Sequence, residues 1–349
     1  MVKIDYDVDA LVGNLISKEE FIIDLIGCRE YNFWYLLRQA GVKSYTPVIG
    51  TTSFLFVEEQ ERIHKVINAY KKNVFQLFEN VCRYYNGEIT QYDDSQKSYE
   101  EFIKEGIRKR RFVFAIYDTH FDTSKVYDVD DNDLHGYTLV GFDDEKEEYL
   151  SILSKTVKYR DLDQMIQTIY CKEGTYQNLL YYIDSIEENI TDQMSKAVKK
   201  DLLEDIENDM KHWESEFRFF DRELEEMRKT EFLSVQEQLQ FAKRRNQFYH
   251  WLMVGGYGNF IFKLRLIKEL YDIDTAELEE RFLLNRKQSL VIANMYRKAL
   301  IRLERNQSDY YRKQLPIICD KVNQVYREEG KALKDIFCSE IYPIMKERS

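Results

Sequence analysis

The stretch His135-Gly-Tyr-Thr-Leu-Val-Gly-Phe142 is typical of a β-strand, because aromatic and branched residues fill it without helical spacing. Two shorter runs of the same character flank it, Phe112-Val-Phe-Ala-Ile-Tyr117 before it and Tyr149-Leu-Ser-Ile-Leu153 after it. The acidic segment Asp143-Asp-Glu-Lys-Glu-Glu148 joins the second and third runs as a hairpin turn. The sequence therefore predicts an antiparallel sheet in the first half of the chain.

Helices are predicted on both sides of these strands. Residues 58–85 carry apolar side chains at three- and four-residue spacing, and Ser98 is a candidate cap for a helix that runs to Lys109. From about Gly174 onward helical spacing dominates, and further helices are predicted over Val235–Met253, Asn259–Tyr271, Thr275–Arg305 and Ser308–Lys334. We expect an α+β fold with a mixed domain over residues 1–172 and an all-α domain over residues 173–349.

Composition limits the classes of protein that the chain can belong to. Only 3 of the 349 residues are proline and 13 are glycine, which favours long uninterrupted helices over a turn-rich all-β fold. A formal net charge of −11 makes non-specific nucleic-acid binding a poor first guess. The five cysteines form no metal-binding pattern, and no apolar run approaches the roughly 18 residues of a membrane span. We expect a cytoplasmic protein with reduced thiols, no metal, and no nucleic-acid or membrane partner.

Cys28 is the candidate nucleophile. It stands in Ile26-Gly-Cys-Arg-Glu-Tyr-Asn-Phe-Trp34, at or near the predicted start of a helix. Unpaired N–H groups and aligned peptide dipoles at a helix N-terminus favour the thiolate and lower the pKa of a thiol. A cysteine considered alone, without its context, is more often a small buried thiol of the core than a nucleophile.

His135 is the candidate general base. It opens the central predicted strand after a polar loop, where an imidazole can take the thiol proton and later return one. A cysteine at a helix start followed by a histidine at the start of a later strand is the arrangement of papain-like folds. We therefore predict that Cys28 and His135 act together.

Residues around this pair resemble a known family. Cys28 with Tyr35-Leu-Leu-Arg-Gln-Ala-Gly-Val42, the segment Gly50-Thr-Thr-Ser-Phe-Leu-Phe56, and the strands Phe114-Ala-Ile-Tyr-Asp118 and His135–Asp143 resemble the butirosin-type papain-like cysteine acyltransferases. The resemblance covers roughly residues 20–170. The amide-condensing enzymes of polythioamide (closthioamide-type) biosynthesis are similar in kind.

The resemblance implies a papain-like N-terminal domain joined to a helical C-terminal domain. It also implies that an acyl group passes from a carrier-protein thioester, through the cysteine, to an amine in antibiotic biosynthesis. The expected partners are therefore an acyl or peptidyl carrier protein and a small amine or amino-acyl substrate. No cofactor is expected beyond the phosphopantetheine arm that presents the acyl group, and a homodimer is left open.

The sequence departs from related cysteine-peptidase folds at the residue that orients the imidazole. Those folds often place an Asp or Asn on the strand after the histidine, where this chain has Ser151-Ile-Leu-Ser154. Asp118, at the end of the preceding strand, is the predicted substitute, with Ser151 and Ser154 as alternatives. A turn-capping role for Asp118 is also open. No glutamine precedes Cys28 to form an oxyanion hole, so the Cys28 backbone N–H, with Asn32 or a loop group, would have to serve.

Two other functions stay open beside acyl transfer. A cysteine hydrolase or peptidase shares the nucleophile chemistry and uses water in place of the amine, and a catalytically inactive helical binding protein needs neither residue. Two dense basic clusters, Arg108–Arg111 and Lys243–Arg245, are candidates for docking an acidic carrier protein.

Overall fold

The computed structural model describes most of the chain. The described residues are 1–6, 28–42, 46–50, 77–93, 96–118, 134–152, 156–164, 166, 180–187, 191–229, 234–251, 257–305 and 307–349. Contacts divide the chain into two compact units. Unit 1 contains residues 1–45 and 78–194, and unit 2 contains residues 46–77 and 195–349.

An antiparallel sheet of seven strands forms the centre of unit 1. The strands are β1 (Val2–Lys3), β2 (Glu88–Gln91), β3 (Val113–Asp118), β4 (Leu134–Asp143), β5 (Glu148–Ser151), β6 (Thr156–Lys158) and β7 (Leu180–Ser185). Their order is β2-β7-β3-β4-β5-β6, and β1 pairs with the second half of β4. The three predicted strands and the acidic hairpin turn are confirmed as β3, β4 and β5.

Helices cover both faces of the sheet. One face carries Phe114 and Tyr181, whose rings lie 4.9 Å apart; it is covered by helix α1 (Cys28–Gln39) and by helical residues 77–85. The other face is covered by helix α3 (Tyr99–Arg108), where Gly106 packs against Val113 so closely that an added Cβ would lie 2.6 Å from a valine methyl. The central strands are therefore buried on both faces, which explains their continuous apolar sequence.

Ser98, the predicted capping residue, is the N-cap of helix α3. The Ser98 hydroxyl accepts a hydrogen bond from the Glu101 backbone N–H, and the Glu101 carboxylate accepts one from the Ser98 backbone N–H at 3.0 Å. This reciprocal pair satisfies two donors that a helix N-terminus leaves unpaired. The predicted helix from Ser98 to Lys109 is confirmed.

Unit 2 is helical. Its described helices are α2 (Thr46–Gly50), α4 (Asp192–Lys229), α5 (Val235–Trp251), α6 (Tyr257–Tyr271), α7 (Ala276–Glu304), α8 (Ser308–Ala332), a π-helix (Leu333–Ile341) and α9 (Tyr342–Glu347). Helix α4 begins within unit 1, three residues before the division. Aromatic packing joins these elements: the ring of Phe260 lies 4.3 Å from that of Phe282 and 5.9 Å from that of Phe337.

The fold class is α+β, with an antiparallel sheet and a helical C-terminal region, as predicted. The prediction differed at β7 (Leu180–Ser185), which lies beyond residue 172 yet pairs with β2 and β3. A buried run of six residues has no helical or alternating pattern that separates a strand from a helix. Residues 58–76 of the helix predicted over 58–85 lie outside the described residues.

Candidate active site

Asn32 on α1 fixes this helix against β4. Its side-chain amide donates a hydrogen bond to the Gly136 backbone oxygen at 3.2 Å, and its amide oxygen accepts one from the Thr138 hydroxyl at 2.8 Å. Asn32 and Thr138 are both almost completely buried. Because a buried amide left without partners costs free energy, these two bonds specify how α1 lies on the strand.

Helix α1 runs along β3 and β4 in a defined direction. Asn32, near its start, bonds to Gly136 close to the beginning of β4, whereas the Gln39 side chain at its end donates to the Arg110 backbone oxygen at 2.7 Å. Arg110 precedes the first residue of β3, at the opposite end of the strand pair. Cys28 is the first residue of α1, one turn or about 6 Å before Asn32. It therefore lies toward the end of the sheet where β4 begins.

The other two predicted site residues lie at this same end. In the β3–β4 ladder, His135 is paired with Tyr117 and Asp118 is paired with Leu134. The backbone thus brings Cys28, His135 and Asp118 to one end of the sheet, from three separate segments of the sequence. The prediction that pairing of the two strands places Asp118 and His135 at the same end of the sheet agrees with this register.

The register also limits how these residues can meet. Directly opposed positions of an antiparallel pair share a face, and successive positions alternate. Position 118 is four residues from Phe114 and shares its face of the sheet, which α1 covers. Position 135 is two residues from Tyr137 and shares the opposite face. A contact between Asp118 and His135, or between His135 and Cys28, therefore requires a departure from regular alternation at the first residues of β4. Both contacts remain predictions.

Gly136 leaves room for an aromatic ring beside the predicted base. A Cβ added at this position would lie 2.2 Å from the Phe114 ring, so no larger residue fits without moving that ring. Phe114 is completely buried. Glycine at position 136 thus has a packing cause, which the sequence alone did not reveal.

Ser151 is the alternative orienting residue that the structure describes, and it lies far along the sheet from His135. Ser151 is buried and pairs with Leu139, four residues along β4 from His135, or about 13 Å. This separation removes Ser151 from the neighbourhood of the imidazole. Ser154 lies outside the described residues, so it remains an alternative to Asp118.

Asn32 positions α1 on β4. Its amide nitrogen donates one hydrogen bond to the Gly136 oxygen, and its amide oxygen accepts one from Thr138. A side-chain amide nitrogen carries two N–H donors, and the bond to Gly136 uses one of them. The role of Asn32 in an oxyanion hole, with the Cys28 backbone N–H or a loop group as alternatives, stays a prediction.

Two further thiols in the described part of the chain have raised pKa values. Desolvation raises the pKa of Cys82, an exposed residue on the helical segment 77–85, and burial raises the pKa of Cys338. Raised pKa values keep these two thiols protonated at neutral pH, when they are poor nucleophiles. Cys319 is buried in α8.

The described part of the chain contains no cluster of three His, Cys, Asp or Glu residues that could hold a metal ion. None of its helices is long and apolar enough to cross a membrane. The chain matches no protein-family model, and a search of curated proteins finds no match either.

Proposed function

We propose that the protein is a papain-like cysteine acyltransferase that forms an amide from a carrier-bound acyl thioester and an amine, as a step in natural-product biosynthesis. Cys28 is the nucleophile, His135 the general base and acid, and Asp118 the residue that orients His135. Unit 1 is the catalytic part in this proposal, and the acyl donor is presented on the phosphopantetheine arm of a carrier protein.

The observation that carries this proposal is the attachment of α1 to β4 through Asn32. The Asn32–Gly136 hydrogen bond lies one helical turn after Cys28 and one residue after His135. This partly buried bond fixes the backbone segments that carry the two predicted catalytic residues relative to each other. Such a fixed frame is what a nucleophile and its base require, because their reaction geometry tolerates little displacement.

The proposed reaction has two halves. The Cys28 thiolate attacks the thioester carbonyl carbon, a new C–S bond forms, and the bond to the carrier sulfur breaks. His135 gives its proton to the departing carrier thiolate. The amine then attacks the acyl-enzyme, its proton passes to His135, and the amide leaves as the bond to Cys28 breaks. The chain returns to its starting state without an added oxidant or reductant.

Product analysis separates amide formation from hydrolysis. The protein is incubated with S-acetylpantetheine and a panel of primary amines, and the products are separated by mass. Acetylated amines above the no-enzyme rate support an acyltransferase. Free acetate alone would identify a hydrolase, and the absence of both products in every mixture would contradict a catalytic role.

The pH dependence of alkylation tests His135. A thiolate–imidazolium pair makes Cys28 react with iodoacetamide well below the ordinary thiol pKa of about 8.5. We expect His135→Ala to move this reactivity profile upward by about two pH units or more, since the imidazolium that stabilises the thiolate is lost. Peptide mass spectrometry follows Cys28 and Cys82 in the same sample, and Cys82 serves as the internal control because burial raises its pKa. An unchanged Cys28 profile in the variant would remove His135 from the mechanism.

Asp118→Asn tests the orienting residue. If the carboxylate fixes the imidazole tautomer and stabilises the imidazolium, this variant should keep its fold and acylate Cys28 about 10²-fold more slowly or worse. Ser154→Ala is the matched comparison, and we expect it to have the smaller effect. The opposite ranking of the two acylation rates would assign the role to Ser154, and two unaffected rates would leave a Cys–His dyad.

A further inference from the structure

The end of α3 carries an exposed basic segment. We call residues 108–111, Arg-Lys-Arg-Arg, the basic turn. Its first three residues are exposed and Arg111 is partly exposed. In a chain of net charge −11, four consecutive cations form a local surface of opposite sign.

The backbone of the basic turn is held in one conformation. The Arg110 N–H donates to the Ile107 oxygen at 2.9 Å and the Arg111 N–H donates to the Gly106 oxygen at 2.9 Å, which closes α3 in a Schellman motif. Arg110 occupies the left-handed position of this motif with φ 60°, where glycine is usual. The Arg110 oxygen also accepts the bond from Gln39. The turn is therefore rigid, and its left-handed residue carries a cationic side chain where a glycine would suffice.

Two of the four cationic side chains of the basic turn interact with other residues of unit 1. The Lys109 ammonium lies 2.8 Å from the Glu105 carboxylate and 3.0 Å from the Tyr182 hydroxyl. The Arg108 guanidinium lies 5.3 Å above the Phe142 ring. Arg110 and Arg111 have no carboxylate partner among the described residues, so their charges are available to another molecule.

The other two basic surfaces differ from the basic turn. In Lys243–Arg245, the Arg245 guanidinium is buried, lies 3.3 Å from the Glu226 carboxylate and stacks on the Phe241 ring, so one of the three cations is engaged within unit 2. An open groove of about 560 Å³ on α8 and the π-helix is lined by both signs of charge, since Asp335 adjoins Lys331 and Lys334. Neither offers two free neighbouring guanidinium groups.

We propose that the basic turn is the docking surface for an acidic carrier protein, an inference that rests on the proposed function. The turn contacts Gln39, the last residue of α1, and Cys28 is the first residue of that helix. Eleven residue steps, or about 16 Å along the helix axis, separate its two ends. A phosphopantetheine arm has fourteen bonds between the serine oxygen of the carrier and the arm's own sulfur, an extended reach of about 16 Å. The extended arm is therefore about as long as α1, which is the distance between the turn and the Cys28 end of that helix.

Charge reversal at the basic turn tests this surface. The double variant Arg110→Glu/Arg111→Glu is compared with the natural sequence for acylation of Cys28 by two donors, S-acetylpantetheine and acetylated acyl carrier proteins of acidic surface. We expect KM for the carrier donor to rise about tenfold or more, with the rate from S-acetylpantetheine unchanged. At about 0.5 M NaCl the difference between the two proteins should shrink, because salt screens exposed charges.

Two further variants separate docking from folding. Lys331→Glu/Lys334→Glu makes the same charge change in the groove of unit 2 and should leave both donors unaffected. Arg110→Gly removes one charge while relieving the left-handed backbone, so we expect a higher thermal midpoint together with a higher KM for the carrier donor. An unchanged carrier KM in the double variant would overturn the docking surface. Acylation by S-acetylpantetheine but by none of the carriers would overturn the carrier partner, and acylation by neither donor would overturn the proposed function itself.

Discussion

Replacing Cys28 with alanine is expected to abolish acyl transfer, lowering the turnover rate by about 10⁴-fold or more. Without the thiolate there is no acyl-enzyme, and the remaining groups can only bind and polarise the thioester. The fold should be retained, because alanine is smaller than cysteine by a single sulfur atom and favours a helix. Turnover with S-acetylpantetheine and an amine measures the loss, and circular dichroism with a thermal melt measures the fold.

Cys82→Ala is the matched control for this prediction. It removes a thiol that is exposed and has a raised pKa, so turnover should stay close to that of the natural sequence. A Cys28→Ala protein that keeps its activity would show that no covalent intermediate forms on this residue.

Glu329→Gln is expected to change the pH dependence of stability strongly. Glu329 lies in α8 with 1% of its surface exposed; one carboxylate oxygen accepts a hydrogen bond from the Tyr257 hydroxyl at 2.8 Å, and the other has no hydrogen-bond partner among the described residues. Burial raises the pKa of this carboxyl to about 7. An unfolded glutamate ionises near 4.3, so the folded state binds the proton more tightly.

The sign of the effect follows from this difference. The contribution of Glu329 to stability is fully present below about pH 4, and it is lost as the pH rises through the unfolded pKa towards the folded pKa near 7. Glutamine stays neutral at every pH and can still accept the Tyr257 hydrogen bond. When the pH rises from about 5.5 to about 8.5, the free energy of unfolding of the variant should therefore increase by about 2 kcal/mol relative to that of the natural sequence.

Urea unfolding of both proteins at these two pH values measures this gain. Tyr257→Phe is the control, because it removes the one hydrogen-bond donor that the described part of the chain offers to the carboxylate, and it should destabilise the natural protein most at the higher pH. Parallel stability curves for the natural sequence and Glu329→Gln would show that the carboxyl does not hold its proton in the folded state.

The sequence predicted the centre of the sheet because its signals there are local. The runs around Phe114 and Leu139 are continuous and β-favouring, and the acidic turn between Asp143 and Glu148 joins two of them directly in the chain. The capping box of α3 is also local, because Ser98 pairs with Glu101 only three residues later. Each of these features lies within a dozen residues.

Features that depend on distant contacts were not predictable in the same way. The Asn32–Thr138 bond joins residues 106 positions apart, and either residue alone is an ordinary polar side chain. The strand Leu180–Ser185 is held by pairing with β2 and β3. The π-helix Leu333–Ile341 spans nine residues, too few for its spacing to differ visibly from that of an α-helix.

For the candidate site, the sequence predicted the segments but not the strand faces. Chain order and strand ends bring Cys28, Asp118 and His135 to one end of the sheet. The register that pairs His135 with Tyr117 depends on how β3 and β4 align, which no local signal specifies. The contacts of His135 with Cys28 and with Asp118 are therefore the part of the site that the sequence could not specify.

The most direct test of the central claim, that Cys28 carries the acyl group, is mass spectrometry of the protein after incubation with S-acetylpantetheine. The account predicts a mass increase of one acetyl group, located on the peptide that contains Cys28 and absent from Cys28→Ala. An unmodified protein, or an acetyl group on Cys82 with Cys28 free, would contradict it.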